Sequence, residues 1–322
     1  MTQARDFADL LNASSKIDVD KFADTAVHGR RNLIINGAMQ VWQRGTSQSS
    51  NGFNSVDRWT FYAGSGMSVS RSTDAPSEFT YSCSFGGTGD SSGLTTRLEG
   101  QDCARLVGKD VTVSFYLKQT TGAGAGAIVA ALLYADTLDN FGGTTYIGQP
   151  TVNTTSDWAR YEVTFTNLPA QAANGLALNF KTPSSSAVVF LITGVQLEVG
   201  NAASPFEHRS YGEELIQCQR YYTQTKSFTV EPGNQSTQGL AVIDTGVPMR
   251  ARPTISLSGP LKVTDFGNTS TTQSSASVVH DGSSTDFANK FHLIRLSNFS
   301  GLNGRSWVSY LNSEYIILDA EL

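Results

Sequence analysis

Two short motifs have the residue types of catalytic or cofactor-binding loops. Residues 89–93, Gly-Asp-Ser-Ser-Gly, present a serine in the setting of a nucleophile. Such a serine needs a histidine base and a carboxylate to orient it. The only upstream histidine is His28, inside a charged leader, and the stretch between is too short for the first barrel of such an enzyme. The motif therefore reads as a loop. Residues 122–127, Gly-Ala-Gly-Ala-Gly-Ala, satisfy G-x-G-x-x-A after a predicted strand. A dinucleotide-binding loop of that form must open a helix. The Ile-Val-Ala-Ala-Leu-Leu-Tyr-Ala that follows is short and β-branched at its start, so a hairpin connection is expected instead.

The remaining reactive side chains are dispersed. His28, His208, His280 and His292 lack metal-ligand spacing. Asp57, Glu99 and Asp102 are candidates for the paired carboxylates of glycoside hydrolysis, but each reads as an ordinary loop or strand-edge acid. Cys83, Cys103 and Cys218 are an odd number without metal spacing and read as three reduced thiols. No catalytic residue, cofactor or metal is expected, and the chain reads as a non-enzyme.

Aromatic residues suggest a different chemistry. Trp42, Trp59, Phe61, Tyr62 and Trp158 fall near predicted strand ends, where a flat ring can stack on a sugar face. Phe61 and Tyr62 are adjacent, so on a strand they point to opposite faces and at most one is core. Trp42, Trp59, Tyr62 and Trp158 are the candidate carbohydrate-binding residues. Ordinary core or rim packing is the competing explanation for each ring.

The elements that would carry these rings follow from composition and alternation. A chain of 322 residues suits two domains plus accessory segments. Hydrophobic residues are 39%, enough for real cores, while charged residues are only 16%, below the usual proportion of about a quarter. Ser, Thr, Gly and Asn fill the difference, as many short strands joined by turns require. Net charge is −5, and no basic cluster exceeds Arg30-Arg31, so nucleic-acid binding has no electrostatic footprint. The longest apolar run, residues 122–135, is mostly Gly and Ala and too short for a membrane span. Arg5, Asp6 and Asp9 argue against a signal peptide, and a soluble protein made in a reducing compartment is expected.

Residues 1–28 form an N-terminal attachment or oligomerisation segment. Phe7, Leu10 and Leu11 fit a helical stripe too short to be stable without a partner. Residues 31–45 then read as a strand running into a polar turn, with Leu33, Ile35, Gly37, Met39 and Val41 on one face. Strand signals continue at 111–118, 127–135, 159–168, 176–180 and 187–199 with no long helix between them, which argues for an antiparallel sandwich. That domain is assigned to 29–210. Ser210 with Glu213 forms a capping box, and Leu215, Cys218 and Tyr222 share a face, giving a bridging helix over 211–222. Strands resume over 223–322 as a second β domain.

The ordered set NLIINGAMQVWQRG, VDRW, VGKDVTVSFYLK, ITGVQLEVGNAASPFEHRSYGEELIQCQRYY and EYIILDAEL resembles bacteriophage tail-fibre and receptor-binding proteins. The resemblance covers most of residues 29–222 and is weaker beyond about 225. It implies a jelly-roll sandwich like those of carbohydrate-binding modules, with first and last strands, here 33–42 and 187–199, paired. Such modules often hold Ca²⁺ on acids of those strands. Here Gly37-Ala38-Met39 and Thr193-Gly194 stand in those places, with only Gln40 and Glu198 able to contribute. The resemblance also implies a virion protein, synthesised in the host cytoplasm. It would be a homotrimeric tail fibre joined to other tail or baseplate proteins through its N-terminal segment and adsorbing to a host-surface glycan. A baseplate, collar or capsid-decoration role and a polysaccharide depolymerase are the alternatives.

Overall fold

The computed structural model describes residues 31–87, 92–121, 126–182, 187–226, 228–233, 235–265, 270–273, 275, 277–280, 290–299, 302, 307–308 and 314–322. The leader with Phe7, Leu10 and Leu11, the centre of the 89–93 motif and most of the 122–127 motif lie outside them. The chain divides into two compact units, one running to Arg209 and including Leu322, the other Ser210–Glu321.

Twelve strands are described in the first unit. They begin with β1 (Ser47–Gln48), β2 (Trp59–Tyr62), β3 (Met67–Ser72), β4 (Ser82–Gly87), β5 (Gly93–Leu98) and β6 (Val111–Thr121). β7 (Ala127–Thr137), β8 (Asn140–Gly148), β9 (Thr151–Asn153), β10 (Ala159–Phe165), β11 (Leu176–Lys181) and β12 (Val188–Val199) follow. One sheet has the order β1-β3-β4-β12-β6-β10, and the second β2-β5-β11-β7-β8 with β9 also on β7. All the pairings are antiparallel. The unit is an antiparallel jelly-roll sandwich.

Alternation decides what lies between the sheets. From the first sheet, Val111, Val113, Phe115 and Leu117 of β6 and Phe190 and Ile192 of β12 are fully buried. From the second, Trp59 and Phe61 of β2, Leu94 of β5 and Leu176, Leu178 and Phe180 of β11 meet them in one continuous core. The Phe115 and Phe180 rings join the sheets edge to face with centroids 4.8 Å apart.

Three expectations are corrected. Residues 31–42 run beside β12 but are not a strand. The Leu33 N–H donates to the Leu197 carbonyl and the Val195 N–H to the Gly37 carbonyl, both at 2.9 Å. Between those bonds the chain turns, because Asn36 and Met39 adopt φ of +58° and +53°. Leu33 and Ile35 are consequently half-buried while Ile34 is buried. Second, β6 and β7 belong to different sheets and do not pair, so they form no hairpin. Third, strand alternation beside Val195 and Leu197 would turn Gln196 and Glu198 to solvent, yet they are 0% and 3% exposed because the chain after β12 folds back over them.

The recognisable sequence motifs form the joints of this unit. The Asn36 side chain donates Nδ2 to the carbonyls of Val41 and Asp57, each at 2.9 Å, and accepts the N–H groups of Gln40 and Val41 on Oδ1. Arg44 and Asp57 close the same turn with a buried ion pair at 3.0 Å. Just after β12, the Glu198 carboxylate accepts the Ser204 N–H at 2.8 Å, the Ser204 hydroxyl at 2.6 Å and the Gln196 amide at 2.8 Å. The Glu207 N–H donates to Gln196 Oε1, and the Glu207 carboxylate accepts the Asn32 N–H. Arg209 then donates to the carbonyls of Ile34 and Asn32. Residues 204–209 thus clasp residues 32–34 against β12.

The second unit opens with the helix Tyr211–Gln219, whose Ser210 cap and Glu213 form the reciprocal capping box read from the sequence. Its strands form a three-stranded sheet and a longer antiparallel sheet around Val230, Ile243, Leu261, Val263, Ile294, Trp307 and Ile316.

Candidate functional site

The outer face of the second sheet of the sandwich carries a groove of about 300 Å³. Side-chain size along each strand produces it. Inward residues alternate with outward ones, so Thr60 and Tyr62 of β2, Gly93, Thr95 and Arg97 of β5, and Ala177, Asn179 and Lys181 of β11 share the outer face. Strands β5 and β11, inside the sheet, present small groups at its centre: Gly93 and Ala177 form the floor, with Leu133 of the third inner strand, β7, beside them. The edge strands present large ones: Tyr62 of β2 on one side, Phe141 and Tyr146 of β8 on the other. Low centre and tall rims make the cleft. Tyr62 is 49% exposed and Tyr146 46%, so both rings are available to a ligand.

Polar atoms on the floor lack protein partners. Thr95 and Asn179 are directly opposite across the β5–β11 ladder, and neither Thr95 Oγ1 nor Asn179 Oδ1 makes a hydrogen bond although both atoms are buried. A buried polar atom without a partner costs about 1–3 kcal/mol. Gly93 makes room for one of them, since a Cβ there would lie 3.1 Å from Asn179 Oδ1.

Two cations complete the lining. The Arg97 guanidinium lies 5.2 Å from the Phe141 ring centroid and donates Nη2 to the Tyr62 hydroxyl at 3.3 Å. Its Nη1 donates to a main-chain oxygen of Leu322. Lys181 is exposed and makes no ion pair among the described residues.

Of the four rings singled out from the sequence, the groove contains only Tyr62. Trp59 is 0% exposed, packs near Phe180 with centroids 6.3 Å apart, and donates Nε1 to the Asn36 carbonyl. A ring with no exposed face cannot stack on a sugar, so this assignment is corrected. Trp42 is half-buried against the same core and donates Nε1 to the Met39 carbonyl at 2.7 Å. Trp158 precedes β10 on the other sheet and donates Nε1 to Asp74 at 2.9 Å. That bond and the Lys118 ammonium, which ranks first, hold the Asp74 carboxyl below its usual range. Phe141 and Tyr146 were missed. Their strand, NFGGTTYIG, is rich in Gly and Thr, and its one signal was an exposed tyrosine alternating with threonines.

No metal site forms from three or more His, Cys, Asp or Glu side chains among the described residues. Gln40 donates its N–H to Asn36, and Glu198 is occupied by Ser204 and Gln196. The thiols of Cys83, Cys103 and Cys218 are free and buried. Burial raises the first two, Cys103 to about 12, so at neutral pH they stay protonated. No helix of the described residues is long and apolar enough to cross a membrane.

The class defined by this geometry is a two-sheet antiparallel sandwich with a groove across one outer face. Residues 45–187, from just before β1 to just before β12, match the family model described as a carbohydrate binding domain. No curated protein sequence matches the chain. Among solved structures, a putative sugar binding protein from Bacteroides thetaiotaomicron is 12% identical, with 53% of this chain and all of that one aligned at a TM-score of 0.39. The CBM22-1 xylan-binding domain of Paenibacillus barcinonensis Xyn10C is 17% identical over 49% of this chain and 94% of that domain, at 0.33. The enzymatically active domain of bacteriophage CBA120 tailspike protein 4 is 16% identical over 52% of this chain and 21% of its own length, at 0.38.

Proposed function

We propose that this chain is a non-catalytic bacteriophage tail-fibre protein whose groove adsorbs the particle to a host-surface glycan. The observation that carries the reading is the pair Thr95 Oγ1 and Asn179 Oδ1, buried without partners on the floor of a cleft walled by Tyr62, Phe141 and Tyr146. Sugar hydroxyls supply the missing hydrogen bonds, and the exposed aromatic faces accept the apolar side of a pyranose. The match of residues 45–187 to a carbohydrate binding domain supports the same ligand class. Hydrolysis of a glycosidic bond needs a carboxylate pair flanking it. None of the described residues lining the groove carries a carboxylate, which supports binding without turnover. The virion assignment rests on the ordered motifs that resemble tail-fibre proteins, and the homotrimer and the tail or baseplate partner on the apolar stripe Phe7, Leu10 and Leu11 within the charged leader.

The test is incubation of the purified protein with host envelope polysaccharide, measuring adsorption and released oligosaccharide together. Adsorption without release, weakened by Tyr62→Ala or Tyr146→Ala, is the expected result. Release of fragments makes the protein a depolymerase. Absence of adsorption, with infection unaffected by excess free protein, makes it a baseplate, collar or decoration component.

A further inference from the structure

The groove has a sign as well as a shape. Its charged lining residues are Arg97 and Lys181, on a chain whose net charge is −5. In an acidic protein, two cations on one ligand face with no carboxylate among the described lining residues is a local reversal. The two are also spaced. Arg97 stands opposite Ala177 and Lys181 opposite Gly93 in the β5–β11 ladder. Four residues of β11 therefore separate their levels, about 13 Å along the strand. The unpartnered pair Thr95 and Asn179 sits midway between them.

Each cation is prepared for an anion in a different way. The Arg97 guanidinium is held against the Phe141 ring, by the Tyr62 hydroxyl and by the main-chain oxygen of Leu322, so its plane is fixed before a ligand arrives. A fixed fork favours planar, bidentate recognition of a carboxylate. Lys181 is an exposed point charge and makes no ion pair among the described residues. Between them, Asn179 Oδ1 is an acceptor and Thr95 Oγ1 can donate or accept, which suits hydroxyl groups. The order along the groove is cation, hydroxyl-binding pair, cation.

We infer that the groove selects an acidic oligosaccharide, one whose successive rings carry carboxylate, sulfate or phosphate groups that reach Arg97 and Lys181 while ring hydroxyls bond Thr95 and Asn179. This rests on the glycan-binding reading of the same groove and adds the ligand's charge and its spacing.

The experiment is affinity electrophoresis of the full chain through gels containing matched polymers. Polygalacturonate is paired with its carboxyl-reduced form, and dextran sulfate with dextran. The protein's own negative charge opposes nonspecific adsorption to the acidic member of each pair. At about 0.15 M salt, where charges screen over roughly 8 Å, retardation by at least one acidic polymer is expected to be tenfold or more above its neutral counterpart. Which acidic polymer is favoured separates carboxylate from sulfate recognition. Lys181→Gln, at an exposed site that leaves the fold intact, is expected to weaken that retardation about tenfold, the loss of one charge-assisted bond. Arg97→Gln should weaken retardation by the acidic member by a similar factor, and in each variant the ratio of acidic to neutral retardation is the quantity read. Equal retardation by both members of each pair, or a preference that survives both substitutions, overturns the inference and leaves the groove reading standing. No retardation by any of the four polymers overturns the groove reading and the inference with it.

Discussion

Thr95 Oγ1 and Asn179 Oδ1 are buried without protein partners, and that separates binding from folding at single residues. Thr95→Val replaces the hydroxyl by a methyl of nearly the same shape. No protein hydrogen bond is lost, so the free protein should unfold at the same temperature or gain up to about 1 kcal/mol, while glycan affinity falls. Calorimetric unfolding and glycan titration of the one variant check both halves; a destabilised variant with intact binding would make Thr95 structural. Asn36 is the opposite case. Its four side-chain hydrogen bonds hold the turn at 36–41 and the start of β2, at a backbone φ of +58° that asparagine tolerates better than most residues. Asn36→Ala should cost about 3 kcal/mol or more, because several buried backbone groups lose their partner together. Asp74 makes a third, smaller case. Its pKa is lowered in the folded protein, first by Lys118 and then by Trp158, so its contribution is present above the unfolded carboxylate pKa. That contribution fades as pH falls through the folded value. The group is close to half exposed, so Asp74→Asn should cost less than about 1 kcal/mol at pH 7, measured by denaturant titration. The difference should vanish in acid.

β12 shows how far alternation can be read from a sequence and where it fails. Its inward row is Phe190 and Ile192, then Val195 and Leu197 after an irregularity between Thr193 and Gln196 shifts the parity by one, whereas the rows of β6 and β11 alternate without a break. Leu197→Ala should cost about 2–5 kcal/mol, as truncation at a fully buried position does. Alternation alone would make Glu198 replaceable unless it bound a metal or capped a partner, and the clasp makes it such a cap. Glu198→Ala strands the Ser204 N–H and hydroxyl and should cost about 1–3 kcal/mol, seen as a lower denaturation midpoint at unchanged slope. Alternation reports only which side of a strand a residue is on. It is silent on what covers the other side, and residues 204–209 do so through side-chain bonds without any periodicity. The same limit explains residues 31–42, whose apparent alternation is interrupted by two positive-φ residues. Gly37 supplies the close contact there, since a Cβ on it would fall 2.0 Å from the Val195 carbonyl oxygen. It explains the aromatics as well. Adjacency put Phe61 and Tyr62 on opposite faces, but only the packed sheets decide that Trp59 and Phe61 face in and Tyr62 faces out. The groove itself depends on Gly93 and Ala177 being small beside large neighbours on β2 and β8. That is a relation among five strands, and no one segment of sequence contains it.

At the scale of the whole molecule, a groove of about 300 Å³ is at the small end of ligand sites and offers weak binding by itself. A tail fibre must hold a particle on a surface, so the proposed function needs several grooves acting together. Residues 1–28, with Phe7, Leu10 and Leu11, are the segment from which a trimer would assemble. Linking three grooves converts the second and third binding events into intramolecular ones and raises avidity by roughly 10²–10⁴ without new contacts, provided the sites engage together. The prediction has two linked measurements. Light scattering of the full chain at micromolar concentration should give three times the chain mass, and of a chain starting at residue 29 the single mass. On immobilised host polysaccharide the shortened chain should dissociate far faster, while its affinity for a short soluble oligosaccharide, which fills one groove at a time, stays the same. The groove residues and their core lie wholly within the first unit, so removing the leader takes away none of them. Equal dissociation of the two forms from the surface would leave the leader without a part in adsorption and return it to attachment within the particle.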